Sequence, residues 1–97
     1  MKKDFVIYDC LHQMGISLGM RGSLYIKESV LMLLDKPELL QALTKELYPA
    51  VAYAHATSPA AVEKAMRIVI KKHCSSPVNI AGFLSELLLS VYKKLNS

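Results

Sequence analysis

Basic side chains recur at helical spacing in one segment of the chain. Lys64, Arg67 and Lys71 lie at i, i+3 and i+7, so an α-helix would place them on one face. Arginine on such a face can donate two hydrogen bonds to guanine O6 and N7 in the major groove of DNA, and lysine can contact guanine or phosphate. Glu63 can accept a hydrogen bond from a cytosine amine. The pattern points to recognition of a nucleic acid.

The two ends of this segment are suited to phosphate. Ser58 is a favourable N-cap and Pro59 a favourable first residue, which predicts a helix from Pro59 to about His73. The amides from Thr57 onward, with the helix dipole, suit a backbone phosphate. Lys71 and the adjacent Lys72 are expected to add phosphate contacts. A solvated amphipathic helix is the alternative interpretation, and the charge pattern alone does not exclude it.

The preceding residues favour a helix-turn-helix, which needs a small residue where the second helix crosses the first. Ala52 fits that position. The turn, Ala56 to Ser58, is short, although alanine suits a left-handed backbone position poorly. The inward face of the second helix is expected to comprise Val62, Ala65, Met66 and Val69.

The segments before and after this one are also predicted to be helical. We predict an all-α fold, a small bundle of about five helices containing the helix-turn-helix. The first helix is expected from Asp4, as N-cap, to Met14, with Gly15 ending it. A loop follows from Gly15 to Gly22, where Gly19 and Gly22 would allow unusual backbone angles.

The second helix is expected from Ser23, as N-cap, to Leu34. The third segment runs from Pro37 to about Ala56, and Pro49 inside it predicts either a break at Tyr48 or a kink. Residues 75–77 predict a turn. Asn79 is expected to cap a last helix that ends near Leu95.

Composition is consistent with one globular domain over residues 1–97. Apolar residues make up 53% and charged residues 21%, and the net charge of +4 permits a polyanionic partner without requiring one. The two cysteines, Cys10 and Cys74, follow no recognisable secretory signal, so we expect a reduced, cytoplasmic setting. Every apolar run is too short to cross a bilayer.

Neither catalysis nor metal binding is indicated. His12, His55 and His73 lie on different segments, without the spacing of a metal motif. We find no nucleophile–base pair at readable spacing and no glycine-rich phosphate loop after a strand. The sequence therefore predicts no catalytic residue, no cofactor and no metal ligand.

Several motifs resemble one family. The stretches Leu11 to Gly15, Arg21 to Glu28, Leu47 to Pro49 and Thr57 to Arg67 closely resemble the C-terminal effector domain of the sporulation response regulator, stage zero sporulation protein A. The similarity covers roughly residues 10–72. It implies a transcription factor domain that reads double-stranded DNA. No receiver domain precedes it, and Met1-Lys2-Lys3 resembles a natural start, so we expect a stand-alone chain.

The resemblance also implies which residues contact DNA. It carries over Glu63, Lys64 and Arg67, with Ala61 and Ile68 at two further contact positions. The family has Arg at position 61, His at 68 and Arg at 64, so a weaker or different sequence preference is implied. Together with the turn and phosphate arguments, the candidate DNA-binding residues are Thr57, Ser58, Ala61, Glu63, Lys64, Arg67, Ile68 and Lys71.

An alternative is a degenerate helix-turn-helix module that acts through protein contacts. Ala61 and Ile68 motivate it, because both lack polar groups where relatives have them. The last helix is apolar on more than one face, through residues that include Leu89 and Tyr92. Such a surplus suits a homodimer or pairing with a related regulator.

Overall fold

The computed structural model describes residues 2–73 and 78–97. These residues contain five α-helices and no β-strand, which confirms the predicted all-α fold. The predicted turn at residues 75–77 and Cys74 lie outside the described residues. The α-helices are α1 (Lys2–Gln13), α2 (Arg21–Asp35), α3 (Tyr48–Ala54), α4 (Pro59–His73) and α5 (Ile80–Leu95).

Helix α1 begins earlier than predicted and ends at Gln13, one residue before the predicted end. Asp4 is not its N-cap but lies in its first turn, where a carboxylate complements the helix dipole. At the other end Gly15 adopts a φ of 83°. The amide of Gly15 donates to the carbonyl of His12 at 2.9 Å and that of Ile16 donates to Leu11 at 3.0 Å, the bond pair of a Schellman motif.

Helix α2 begins at Arg21, so the predicted N-cap at Ser23 is wrong. Ser23 is fully buried and its hydroxyl donates to the carbonyl of Ser17, which ties down the preceding loop. The sequence predicts that Gly22 ends the preceding loop, but Gly22 lies inside the helix and is buried. Its small size is needed there for packing rather than for backbone freedom.

The third predicted segment divides at a residue other than Tyr48. A 3₁₀-helix, Pro37–Gln41, ends at Ala42, whose φ of −138° and ψ of 42° break the helical path. A π-helical turn, Leu43–Leu47, then leads directly into α3. The amide of Tyr48 donates to Leu43. The wider π turn precedes Pro49, which has no amide hydrogen to donate.

Helix α2 is the centre of the bundle, since it contacts each of the other four α-helices. Its Ile26, Val30 and Leu33 are fully buried.

Helix α5 starts as predicted, with Asn79 as its N-cap. The Oδ1 atom of Asn79 accepts a hydrogen bond from the amide of Gly82 at 2.9 Å. Across the described ranges, no helix is both long and apolar enough to span a membrane.

Candidate nucleic-acid interface

Helices α3 and α4 are joined by the tight turn that the sequence predicts. Ala52 is 2% exposed on α3, and α3 packs directly against α4. Ala56 adopts a φ of 52°, the left-handed conformation that its type disfavours by about 1–2 kcal/mol. The amide of Thr57 donates to the carbonyl of Ala52 at 2.9 Å, which closes the turn. The backbone of Ala56 is therefore locally strained, and its left-handed conformation allows α4 to begin immediately after α3.

The start of α4 agrees with the predicted cap. The hydroxyl oxygen of Ser58 accepts a hydrogen bond from the amide of Ala61 at 3.1 Å, and Pro59 is the first helical residue. Because Ser58 is exposed, its hydroxyl remains at the surface while it caps the helix. Thr57, one residue earlier, is half-buried.

One face of α4 is anchored in the core and the other is exposed. Val62, Met66, Val69 and Ile70 are buried, and Ala65 is half-buried. The hydroxyl of Ser29 on α2 contacts the Sδ atom of Met66 at 3.7 Å. The predicted inward residues are therefore confirmed in position.

The exposed side of α4 carries most of the predicted site residues. Ile68 is 43% exposed among the charged side chains. Between residues 59 and 73 four basic residues accompany one acidic residue, so the net charge of α4 is positive. The exposed candidates are Lys64, Arg67, Ile68 and Lys71, and the half-buried ones are Ala61 and Glu63.

Glu63 and Arg67 form an ion pair along this surface. The Nε atom of Arg67 donates to Oε2 of Glu63 at 3.0 Å, and Nη2 donates to the same oxygen. The hydrogen bond to Glu63, followed by its charge, raises the pKa of Arg67 above its already high ordinary value. The guanidinium is held at one side of α4, and DNA would have to share it with Glu63.

Tyr48 lies close to this ion pair, and sequence reasoning missed that relationship. The side chain is 6% exposed at the start of α3. Burial raises the pKa of the Tyr48 phenol, the charge of Glu63 raises it further, and the charge of Arg67 lowers it. The Leu47-Tyr48-Pro49 motif was evident in the sequence, but its proximity to the charged face of α4 depends on the α3–α4 packing.

The stretch from Arg21 to Glu28, which is one of the motifs that resemble the family, contacts the turn before α4. His55, the C-cap residue that follows α3, stacks edge-on against Tyr25 with ring centroids 5.5 Å apart. Its Nε2 atom lies 3.7 Å from Oε1 of Glu28. Lys27 holds the other oxygen of Glu28 at 2.9 Å. The two motif residues Tyr25 and Glu28 thus contact the residue that precedes Ala56.

No group of three histidine, cysteine or acidic side chains within residues 2–73 and 78–97 is arranged to hold a metal ion. Cys10 is buried, and burial raises the pKa of its thiol, which disfavours the reactive thiolate.

The chain matches a protein-family model. The model described as "Sporulation initiation factor Spo0A C terminal" matches residues 7–94, which include α2, α3, α4 and most of α1 and α5. The match extends the resemblance inferred for residues 10–72 in both directions. It covers the ion pair on α4, the turn at Ala56 and the apolar last helix alike. The chain therefore belongs to the family of Spo0A C-terminal domains, which are DNA-binding effector domains.

Proposed function

We propose that residues 1–97 form one domain that regulates transcription by sequence-specific binding to double-stranded DNA. Helix α4 is the recognition helix and lies in the major groove. The observation that carries the proposal is the exposed face of α4, with Lys64, Arg67 and Lys71, on a helix whose opposite face is buried. A rigid support of this kind is what base reading requires.

In this proposal the residues have separate tasks. Arg67 and Lys64 contact base edges, and Glu63 orients Arg67 while accepting from a cytosine amine. Thr57 and Ser58, at the start of α4, and Lys71, near its end, contact phosphates. Ala61 and Ile68 face the groove without polar groups and offer only apolar contact, for example to a thymine methyl group.

Fluorescence anisotropy with two labelled duplexes tests the proposal. One duplex carries a short DNA sequence element of the kind proposed to be bound by this family, called the box below. The other duplex carries a scrambled sequence, and both are titrated over a salt series. We expect tighter binding to the box, with an affinity that falls steeply with salt because phosphates are neutralised. Equal affinity for the two duplexes would contradict sequence-specific reading. A duplex with the box in inverted orientation relative to the label is a control for end effects.

A second candidate function is a module that acts by pairing with another copy or with a related regulator. Leu89 and Tyr92 on α5 are 55% and 59% exposed. They border a groove of about 350 Å³ whose other wall includes Leu33, Leu34 and Pro37. Exposed apolar surface of this kind suits a protein partner.

Sedimentation equilibrium, without DNA, tests this second function. Pairing that is lost in Tyr92→Lys and kept in Tyr53→Lys, together with equal binding to both duplexes, would favour the second function. Tyr53 is a suitable control because it is 91% exposed on α3, away from the groove residues. A monomer in every case would exclude self-pairing through this groove.

A further inference from the structure

A cleft lies beside α4, on the side where α2 packs against it. A β-carbon built on Gly22 would lie 2.2 Å from the carbonyl oxygen of Ala65 and 2.5 Å from Cγ2 of Val69, so the two helices are in backbone contact there. Next to this contact, a cleft of about 370 Å³ is lined by Met20, Val69, Lys72, His73 and the loop from Gly15 to Ser17. Arg21 lies between Met20, which lines the cleft, and Gly22, which touches α4.

Two basic residues, Lys72 and His73, line this cleft, and a third, Arg21, is adjacent to the lining residue Met20. Arg21, Lys72 and His73 are exposed, and the first turn of α2 has no acidic residue. Lys72 follows Ile68 by one helical turn, so it lies at the edge of the proposed DNA-binding face. Arg21 comes from a different helix, and the contact at Gly22 fixes its backbone at that same edge.

The opposite edge of α4 has a different charge. There the carboxylate of Glu63 pairs with Arg67 beside Tyr48, so negative and positive charge are combined. A helix in the major groove has a sugar–phosphate backbone on each side. The edge with Arg21 and Lys72 is the one whose described side chains best complement a phosphodiester backbone.

We infer that the cleft between the start of α2 and the end of α4 holds the backbone of one DNA strand, with Arg21 and Lys72 contacting its phosphates from two helices. This inference rests on the proposed function and adds a residue, Arg21, that lies 35 positions before Ala56, where the turn leading into the recognition helix begins. Contacts from both α2 and α4 would fix the angle at which α4 enters the groove, because contacts from α4 alone would allow the whole domain to rotate on the DNA about the axis of α4.

The salt dependence of binding tests this inference. Each phosphate contact contributes about 0.9 to the slope of log affinity against log salt concentration. Arg21→Ala and Lys72→Ala should each lower that slope by about 0.9 and weaken binding to the box and the scrambled duplex by the same factor. Lys36→Ala, at the opposite end of α2, removes the same charge and should leave the slope unchanged. Arg21→Gln replaces Arg21→Ala if thermal melting shows that the latter unfolds.

Duplexes with single methylphosphonate groups then locate the contact. A neutral group at the phosphate that Arg21 contacts should weaken binding of the wild-type protein and have no effect on Arg21→Ala. If the wild-type protein prefers the box but neither variant changes the slope, this inference is wrong and the proposed function stands. An equal change in Lys36→Ala would also overturn it, since net charge would then explain the effect. If the wild-type protein binds neither duplex, the proposed function fails, and this inference fails with it.

Discussion

The backbone of Gly22 on α2 touches the backbone of α4 at Ala65. A β-carbon at position 22 would lie 2.2 Å from the carbonyl oxygen of Ala65, closer than non-bonded atoms approach. The obstructing atom belongs to a helix backbone, which cannot rotate away as a flexible side chain can. The central helix of the bundle and the proposed recognition helix are therefore held in direct contact by the absence of a side chain.

Gly22→Ala is expected to destabilise the protein by about 1–3 kcal/mol, because the added methyl group forces α2 and α4 apart. Thermal or urea unfolding followed by circular dichroism measures the change. Gly19→Ala is the matched control, since a β-carbon there would have no described atom within 4 Å. Equal stability of the two variants would show that the close contact is not maintained in solution.

The sequence predicted the helices but not this contact. Caps and helix-ending residues are local signals, and Gly15, Ser58 with Pro59, and Asn79 were interpreted correctly from them. The prediction of a loop at Gly22 is wrong because glycine is suited both to unusual backbone angles and to close packing. Only the position of α4 distinguishes these two uses, and that position depends on tertiary packing.

The candidate site was also only partly predictable from the sequence, because some of its contacts depend on tertiary packing. The spacing of Lys64, Arg67 and Lys71 places them on one face from sequence alone, and all three are exposed. The association of Tyr48 with Glu63 and Arg67 joins two helices, so helical periodicity could not reveal it. The break at Ala42 was missed because alanine is a good helix former and gives no local signal for a break.

Ala56→Gly is expected to stabilise the protein by about 1 kcal/mol. Glycine adopts the φ of 52° without the penalty that alanine incurs, and this gain exceeds the added entropy of the unfolded chain. Ala60→Gly, in the first turn of α4, should change stability in the opposite direction, because glycine disfavours helix. Chemical unfolding measures both, and a loss of stability in Ala56→Gly would contradict the left-handed turn.

Replacing Ser58 separates its capping role from its proposed contact with phosphate. Ser58→Ala should cost about 1 kcal/mol of stability, because the amide of Ala61 loses its acceptor. Ser58→Asp keeps an acceptor and should preserve stability, yet weaken DNA binding by placing negative charge beside a phosphate. Unfolding curves and anisotropy titrations test the pair. Unchanged DNA affinity in Ser58→Asp would exclude a phosphate near this residue.

Glu63→Gln is expected to raise affinity for the scrambled duplex and reduce the preference for the box. The substitution removes a negative charge near DNA phosphates, and it weakens the hydrogen bonds that hold Arg67. Anisotropy at fixed salt concentration measures both quantities. Glu86→Gln, on α5, is the matched control and should change neither. A larger preference for the box in Glu63→Gln would contradict an orienting role.

Stability should decline as the pH rises above the ordinary pKa of a cysteine thiol, about 8.5. Burial raises the pKa of Cys10 in the folded state, so the unfolded chain releases this proton at a lower pH than the folded protein does. The contribution of Cys10 to stability is therefore fully present below the pKa of its thiol in the unfolded chain. It is lost as the pH rises through the pKa of the thiol in the folded protein. Urea unfolding at pH 7 to 10 should show a smaller decline in Cys10→Ala. An identical pH profile would exclude this contribution.

Base reading by Arg67 on α4 is tested by comparing wild-type protein and Arg67→Ala on a set of duplexes, each changed at one base pair of the box. Arg67→Lys retains the charge and controls for phosphate attraction. Arg67→Ala is expected to lose discrimination of about tenfold or more at one base pair and to keep the wild-type preference elsewhere. A profile for Arg67→Ala that runs parallel to the wild-type profile at every base pair would contradict base reading by Arg67.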